Sequence, residues 1–149
     1  MKQQFRFIAK AAMLMVVFIF FQSFFKGGEY YKVLLNGRVV AEQYLTRPVA
    51  LKTLSLNSSN QNDQLSFYYS HCGRTGSNRS IALKNVSGKV LKEWKFDNTN
   101  SQEMQVPVKE VLQASSKNST ASIYYSSKEL PAGRMLITLD FSAMALAKH

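Results

Sequence analysis

The single cysteine of the chain directly follows a histidine, in His71-Cys72-Gly73. A thiolate beside an imidazole is the pairing of a cysteine nucleophile, so covalent chemistry would start here if anywhere. Successive strand residues point to opposite faces, and adjacent His and Cys side chains meet only where a strand has ended. The one other histidine is the terminal His149, and no Asp or Asn is marked by its spacing as an orienting group. The triplet is therefore read first as a strand end, with Cys72 packed as a small apolar residue and Gly73 opening a turn. A thiol-dependent enzyme using Cys72 and His71 is the lesser reading.

Carboxylates offer less. Glu93, Asp97, Glu103 and Glu110 are spread among lysines, as in Lys92-Glu93 and Lys109-Glu110, the pattern of solvated faces. The sequence shows no pair placed for glycoside hydrolysis, which needs two acids roughly 5–10 Å apart. There is no G-x-S-x-G nucleophile elbow, and Gly73-Arg74-Thr75-Gly76 lacks the strand-to-helix setting of a phosphate loop. One Cys and two His fall short of a structural zinc site, so neither metal nor cofactor is expected.

Binding chemistry is better served. Leu65, Phe67 and Tyr69 alternate with Ser66, Tyr68 and Ser70; Ala121, Ile123 and Tyr125 alternate with Ser122, Tyr124 and Ser126. Strand parity then sets Tyr68 and Tyr124 on the solvent side, where Tyr with Arg nearby makes a protein-contact or sugar-stacking surface. Tyr68, Tyr124, Arg74 and Arg79 are the candidate binding residues. The two segments echo each other, and each runs through a loop into an Arg (Arg79, Arg134) and an apolar strand. We read the echo as shared strand geometry rather than a duplication.

The elements that position these residues begin after a distinct leader. Lys2, Arg6 and Lys10 precede an apolar run from Ala11 to Phe21, extended to Phe25, and seven of the ten Phe lie in this part. A basic stretch followed by an apolar one is the pattern of an export signal. Cleavage after Ser23 or Gly28 would leave Phe21 or Lys26 at the third-last position, where a small residue is needed, so residues 1–28 are expected to be a signal peptide or an uncleaved anchor holding the membrane through residues 5–25. Three positive charges before the run place the domain outside the cytoplasm, periplasmic or extracellular, or tethered to the inner membrane if the segment is retained. From Gly27 onward fifteen basic and nine acidic residues leave +6, a moderate field that is no nucleic-acid footprint. Asn57, Asn78, Asn85 and Asn118 begin glycosylation triplets, which carry meaning only in a cell that uses them.

Residues 29–149 read as strands with period two. Asn36-Gly37 predicts a type I′ hairpin between 30–35 and 38–45, Ser87-Gly88-Lys89 a second, and Pro131-Ala132-Gly133 a third between 121–127 and 134–142. Trp94 stands on the apolar side of Val90–Asp97, which reads as a central strand with Trp94 buried, and Met135, Ile137, Leu139 and Phe141 form an apolar face opposite Arg134. Only Val108–Ala114, after Pro107, reads as helix. About nine strands with no long amphipathic helix predict an all-β, two-sheet antiparallel β-sandwich, immunoglobulin-like or jelly-roll-like. The function expected is that of an exported, non-enzymatic binding or assembly module for a protein or glycan partner, with recognition of an anionic glycan or envelope polymer as the alternative.

Overall fold

The computed structural model describes residues 28–46, 50–97 and 101–143. The expected leader, residues 1–27, lies outside the described residues, and among those described no helix is long and apolar enough to cross a membrane.

The domain is mostly β. Among the described residues nine strands, β1 (Tyr30–Leu35), β2 (Arg38–Tyr44), β3 (Thr53–Ser55), β4 (Gln64–Ser70), β5 (Arg79–Asn85), β6 (Val90–Phe96), β7 (Met104–Pro107), β8 (Thr120–Ser127) and β9 (Leu130–Asp140), form two sheets. Their orders are β2-β1-β4-β7 and β3-β9-β8-β5-β6. All pairings are antiparallel except β3 with β9, so the second sheet is mixed where sequence reasoning expected none.

Alternate residues of both sheets enter one core. Tyr31, Val33, Leu65, Phe67, Met104 and Val106 come from the four-stranded sheet; Ile81, Leu83, Ile123, Tyr125, Ile137 and Leu139 come from the five-stranded one. Each such side chain contributes about 1.5–3 kcal/mol by leaving water. The short helix α1 (Val108–Ala114) buries Val108, Val111 and Leu112, the i, i+3, i+4 stripe. Pro107 precedes it at φ −63°, and its missing N–H leaves no donor unsatisfied at a helix start.

Turns explain much of the order. Asn36 and Gly37 take φ of +48° and +77°, the pair a type I′ turn requires. The Asn36 amide donates to Asp63 Oδ1 (2.7 Å), and its carbonyl accepts from Gln64 N (2.9 Å), docking the hairpin tip on the start of β4. The second hairpin turns around Asn85, whose side chain accepts from the backbone N–H of Ser87 and Lys89. The third turns earlier than expected. Lys128-Glu129 join β8 to β9, while Pro131-Ala132-Gly133 lie within β9 as a bulge opposite Ser126.

Bulges also overturn three parity assignments. Leu136 is an extra residue between the pairs Ile123–Ile137 and Tyr124–Met135, so Leu136 is buried, Met135 turns outward and Arg134 turns inward opposite Tyr125. Leu91 is extra between Leu83–Lys92 and Lys84–Val90, which leaves Val90 exposed. Trp94 is half-buried rather than buried, because β6 is an edge strand and not a central one. Its indole donates to Glu110 Oε2 (2.6 Å), which also pairs with Lys92 (2.9 Å).

Candidate functional site

Glu29, Tyr69, His71, Tyr125, Ser127 and Arg134 come together at one end of the interface between the sheets. Glu29 immediately precedes β1, Tyr69 and His71 lie at the end of β4, Tyr125 and Ser127 near the end of β8, and Arg134 in β9. Tyr69 and Tyr125 stack across the interface, with centroids 4.1 Å apart and planes 10° apart. These are equivalent residues of the sequence echo: its two halves face each other from different sheets, and the arginine after each turns inward.

His71 is the hub. Its Nδ1 lies 3.3 Å from Glu29 Oε1, and its Nε2 lies 3.0 Å from the Tyr125 hydroxyl and 3.1 Å from Ser127 Oγ. A carboxylate only accepts, so Nδ1 carries the proton that faces Glu29, and Nε2 lies within hydrogen-bond reach of both hydroxyls. The second oxygen of Glu29 accepts from Tyr69 (3.3 Å) and pairs with Arg134 (3.0 Å). Burial pushes the Tyr69 phenol well up, with Arg134 opposing and Glu29 reinforcing, and burial likewise raises Tyr125. Both phenols therefore stay protonated donors.

Ser127, His71 and Glu29 thus stand in the order of a hydroxyl nucleophile, its base and an orienting carboxylate. Access decides what this order can do. Ser127 is 5% exposed, and a methyl group at Gly76 would strike the Tyr125 hydroxyl and come within 2.9 Å of both His71 Nε2 and Ser127 Cβ. Gly76 therefore packs directly over the hydroxyls. The cluster is an interior pin between the sheets.

The loop that carries Gly76 is held down by Glu129, which accepts from Ser77 N (2.9 Å) and Ser77 Oγ (3.0 Å), while Lys128 N donates to Ser77 O (2.8 Å). The backbone N–H groups that Glu129 accepts from, Ser77 first, lower its pKa from 4.5 to about 2. A carboxyl depressed on folding stabilises the fold above its ordinary pKa and loses that contribution as pH falls. The stability difference between wild type and Glu129→Gln is expected to be full above about pH 4.5 and to vanish toward pH 2. Urea titrations of both proteins across that range measure it, and a difference independent of pH would refute the assignment.

The sequence-predicted site residues are scattered. Cys72 is exposed and does not pack; it takes φ +52° and Gly73 +86°, forming a two-residue turn closed by His71 N donating to Arg74 O (2.8 Å). The ring nitrogens of His71 are engaged by Glu29, Tyr125 and Ser127, and no hydrogen bond joins them to Cys72 among the described residues. Arg74 is exposed beside that turn. Arg79 is buried, 2% exposed, and donates to the carbonyls of Asp97 (3.1 Å) and Gln102 (3.2 Å), bracketing the connection from β6 to β7 instead of offering a surface. Tyr68 and Tyr124 both face outward but from different sheets, so one compact ligand cannot touch both. Lys84 lies 4.4 Å over the Tyr124 ring, and Lys32 5.2 Å over Tyr68.

Tyr68 has aromatic company that sequence reasoning missed. Across the outer face of the four-stranded sheet, Tyr44, Tyr30 and Ser70 form one row, and Glu42, Lys32 and Tyr68 the next. Tyr30 and Tyr44 pack at 4.7 Å between centroids, Tyr30 donates to Glu42, and Tyr44 is 62% exposed. Burial and Glu103 raise the Tyr68 phenol, while hydrogen bonds from Ser66, Gln105 and Tyr68 lower the Glu103 carboxyl. The doubled Tyr30-Tyr31 was the available signal, since one of two adjacent strand tyrosines must face out. Comparison with protein-family models, with curated proteins and with solved structures finds no match to this chain.

Proposed function

We propose that this chain is an exported, non-enzymatic binding module, a β-sandwich whose contact surface is the outer face of the four-stranded sheet. One observation carries the reading: Tyr30, Tyr44 and Tyr68 share that solvent face, with Tyr44 62% exposed. Large aromatic side chains left in water on an ordered sheet are costly unless a partner covers them, and Tyr is enriched among interface anchors. Export rests on the basic-then-apolar leader, which as a retained anchor would hold the domain at the membrane.

An anionic polymer fits this face poorly, because Glu42 and Glu103 outnumber Lys32. On the opposite face Lys84 covers Tyr124, and the cleft of about 510 Å³ beside Ser80 and Ser126 is lined by Glu93 and Asp97 as well as Lys95. The faces are separable by experiment. On an array of envelope polysaccharides and envelope proteins, the full chain in detergent should lose about 10- to 100-fold in affinity on Tyr44→Ala, the range of an anchor residue, and keep it on Tyr124→Ala. The reverse pattern moves the contact surface to the five-stranded sheet, and indifference to both substitutions refutes the reading.

A further inference from the structure

The free edge of the five-stranded sheet carries a second feature, independent of the tyrosine face. Among the described residues, strand β6 ends that sheet and pairs only with β5. Of the four edge strands among the described residues, β3 and β7 have three and four residues, and β2 keeps regular register over the four residues beyond its bulge at Val40, against five beyond the bulge of β6 at Leu91. From Lys92 to Phe96, β6 runs in regular register, opposite Leu83 to Arg79. Glu110 of α1 holds Trp94 and Lys92 from the inner side, which keeps this stretch in place. A regular, unpaired edge presents a row of free backbone donors and acceptors to any strand that fits beside it.

The side chains specify which strand fits. Glu93 and Lys95 lie two residues apart on the outer face, and both are exposed. Their neighbours on β5 are Ala82 and Ser80, which carry no charge, and neither Glu93 nor Lys95 takes part in an ion pair among the described residues. An antiparallel copy of the same strand, centred on Trp94, would set Glu93 of each chain opposite Lys95 of the other, twice. Trp94 would then face its own counterpart, and Lys92 would face Phe96. A two-fold axis requires such self-complementarity, and opposite charges directly across an antiparallel pair favour that register over its neighbours. Shifting by two residues in one direction brings Glu93 against itself, and in the other direction Lys95 against itself. Val90, 50% exposed, and Val86, 85% exposed, lie on the same hairpin, leaving apolar surface beside the edge.

We infer that β6 is the contact between two copies of this chain, which join edge to edge through an antiparallel β6–β6 pair centred on Trp94. The dimer extends the five-stranded sheet into one continuous sheet across the two-fold axis. It leaves the tyrosine face of each copy free, so the two surfaces serve different purposes.

Charge reversal and its rescue test the register. Sedimentation equilibrium of the full chain in density-matched detergent should show a monomer–dimer equilibrium. Lys95→Glu and Glu93→Lys each set like charges across the axis and should each weaken dimerisation at least about tenfold. The combined swap, Glu93→Lys with Lys95→Glu, restores both cross-strand pairs and should recover the wild-type constant. Both positions are exposed, so circular dichroism should show all four proteins equally folded. A monomeric wild type at about 100 µM, a dimer indifferent to the single reversals, or a swap that fails to rescue would each overturn the assignment.

Discussion

Replacing Tyr125 by Ala is expected to lower the stability of the domain by about 3–5 kcal/mol, the range for deleting a large aromatic from a core. Tyr125 is fully buried, stacks on Tyr69 at 4.1 Å, and sits inward on β8 between Ile81 of β5 and Arg134 of β9. The substitution leaves a cavity at the junction of the two sheets and removes one hydroxyl from beside His71. Tyr125→Phe separates these contributions. It keeps the ring and the stack, leaves Ser127 as the remaining hydroxyl beside His71 Nε2, and should cost only about 1 kcal/mol. Urea denaturation of both variants measures the difference. A loss below about 1.5 kcal/mol for Tyr125→Ala would show that the sheets do not depend on this stack.

Gly76→Ala should follow closely, with a loss of about 1–3 kcal/mol from overpacking. Gly76 needs no unusual backbone angle; its constraint is space. The added methyl group would meet the Tyr125 hydroxyl, His71 Nε2 and Ser127 Cβ. None of the three gives way cheaply. The Tyr125 ring is clamped by Tyr69, His71 is held through both nitrogens, and Ser127 Cβ is fixed by the backbone of β8. Removing the struck hydroxyl in Gly76→Ala/Tyr125→Phe should recover part of the loss, so the two changes should be non-additive. If the double variant is instead as unstable as the sum of the singles, the clash lies elsewhere.

Elements whose causes are local could be read from the chain alone. Asn36-Gly37 implies its own turn because both residues tolerate positive φ, and the helix at Val108–Ala114 follows from a proline and an i, i+3, i+4 apolar stripe. Alternation in Leu65–Ser70 and Ala121–Ser126 correctly turns Tyr68 and Tyr124 toward solvent, since period two is intrinsic to a strand. The mostly-β character of the described residues follows from the same periodicity.

The site is different, because each of its members depends on a partner distant in sequence. His71 was visible, but its carboxylate stands 42 residues upstream and its hydroxyls 54 and 56 residues downstream. Bulges did the rest. An unbulged Asn36-Gly37 hairpin would pair Tyr30 with Gln43; the extra Val40 brings Tyr44 opposite Tyr30 and creates the aromatic row. The extra Leu136 turns Arg134 from solvent to Glu29. Arg79 looked like a surface cation until two carbonyls from the β6–β7 connection enclosed it. Composition, periodicity and turn chemistry act over a few residues, so the chain itself determined its strands, its tight turns and which face of most strands meets the core. A bulge is chosen by how two strands twist against each other, and a buried polar cluster by which strand ends meet, so the tertiary structure alone decided the His71 pin, the tyrosine face and the open edge at β6.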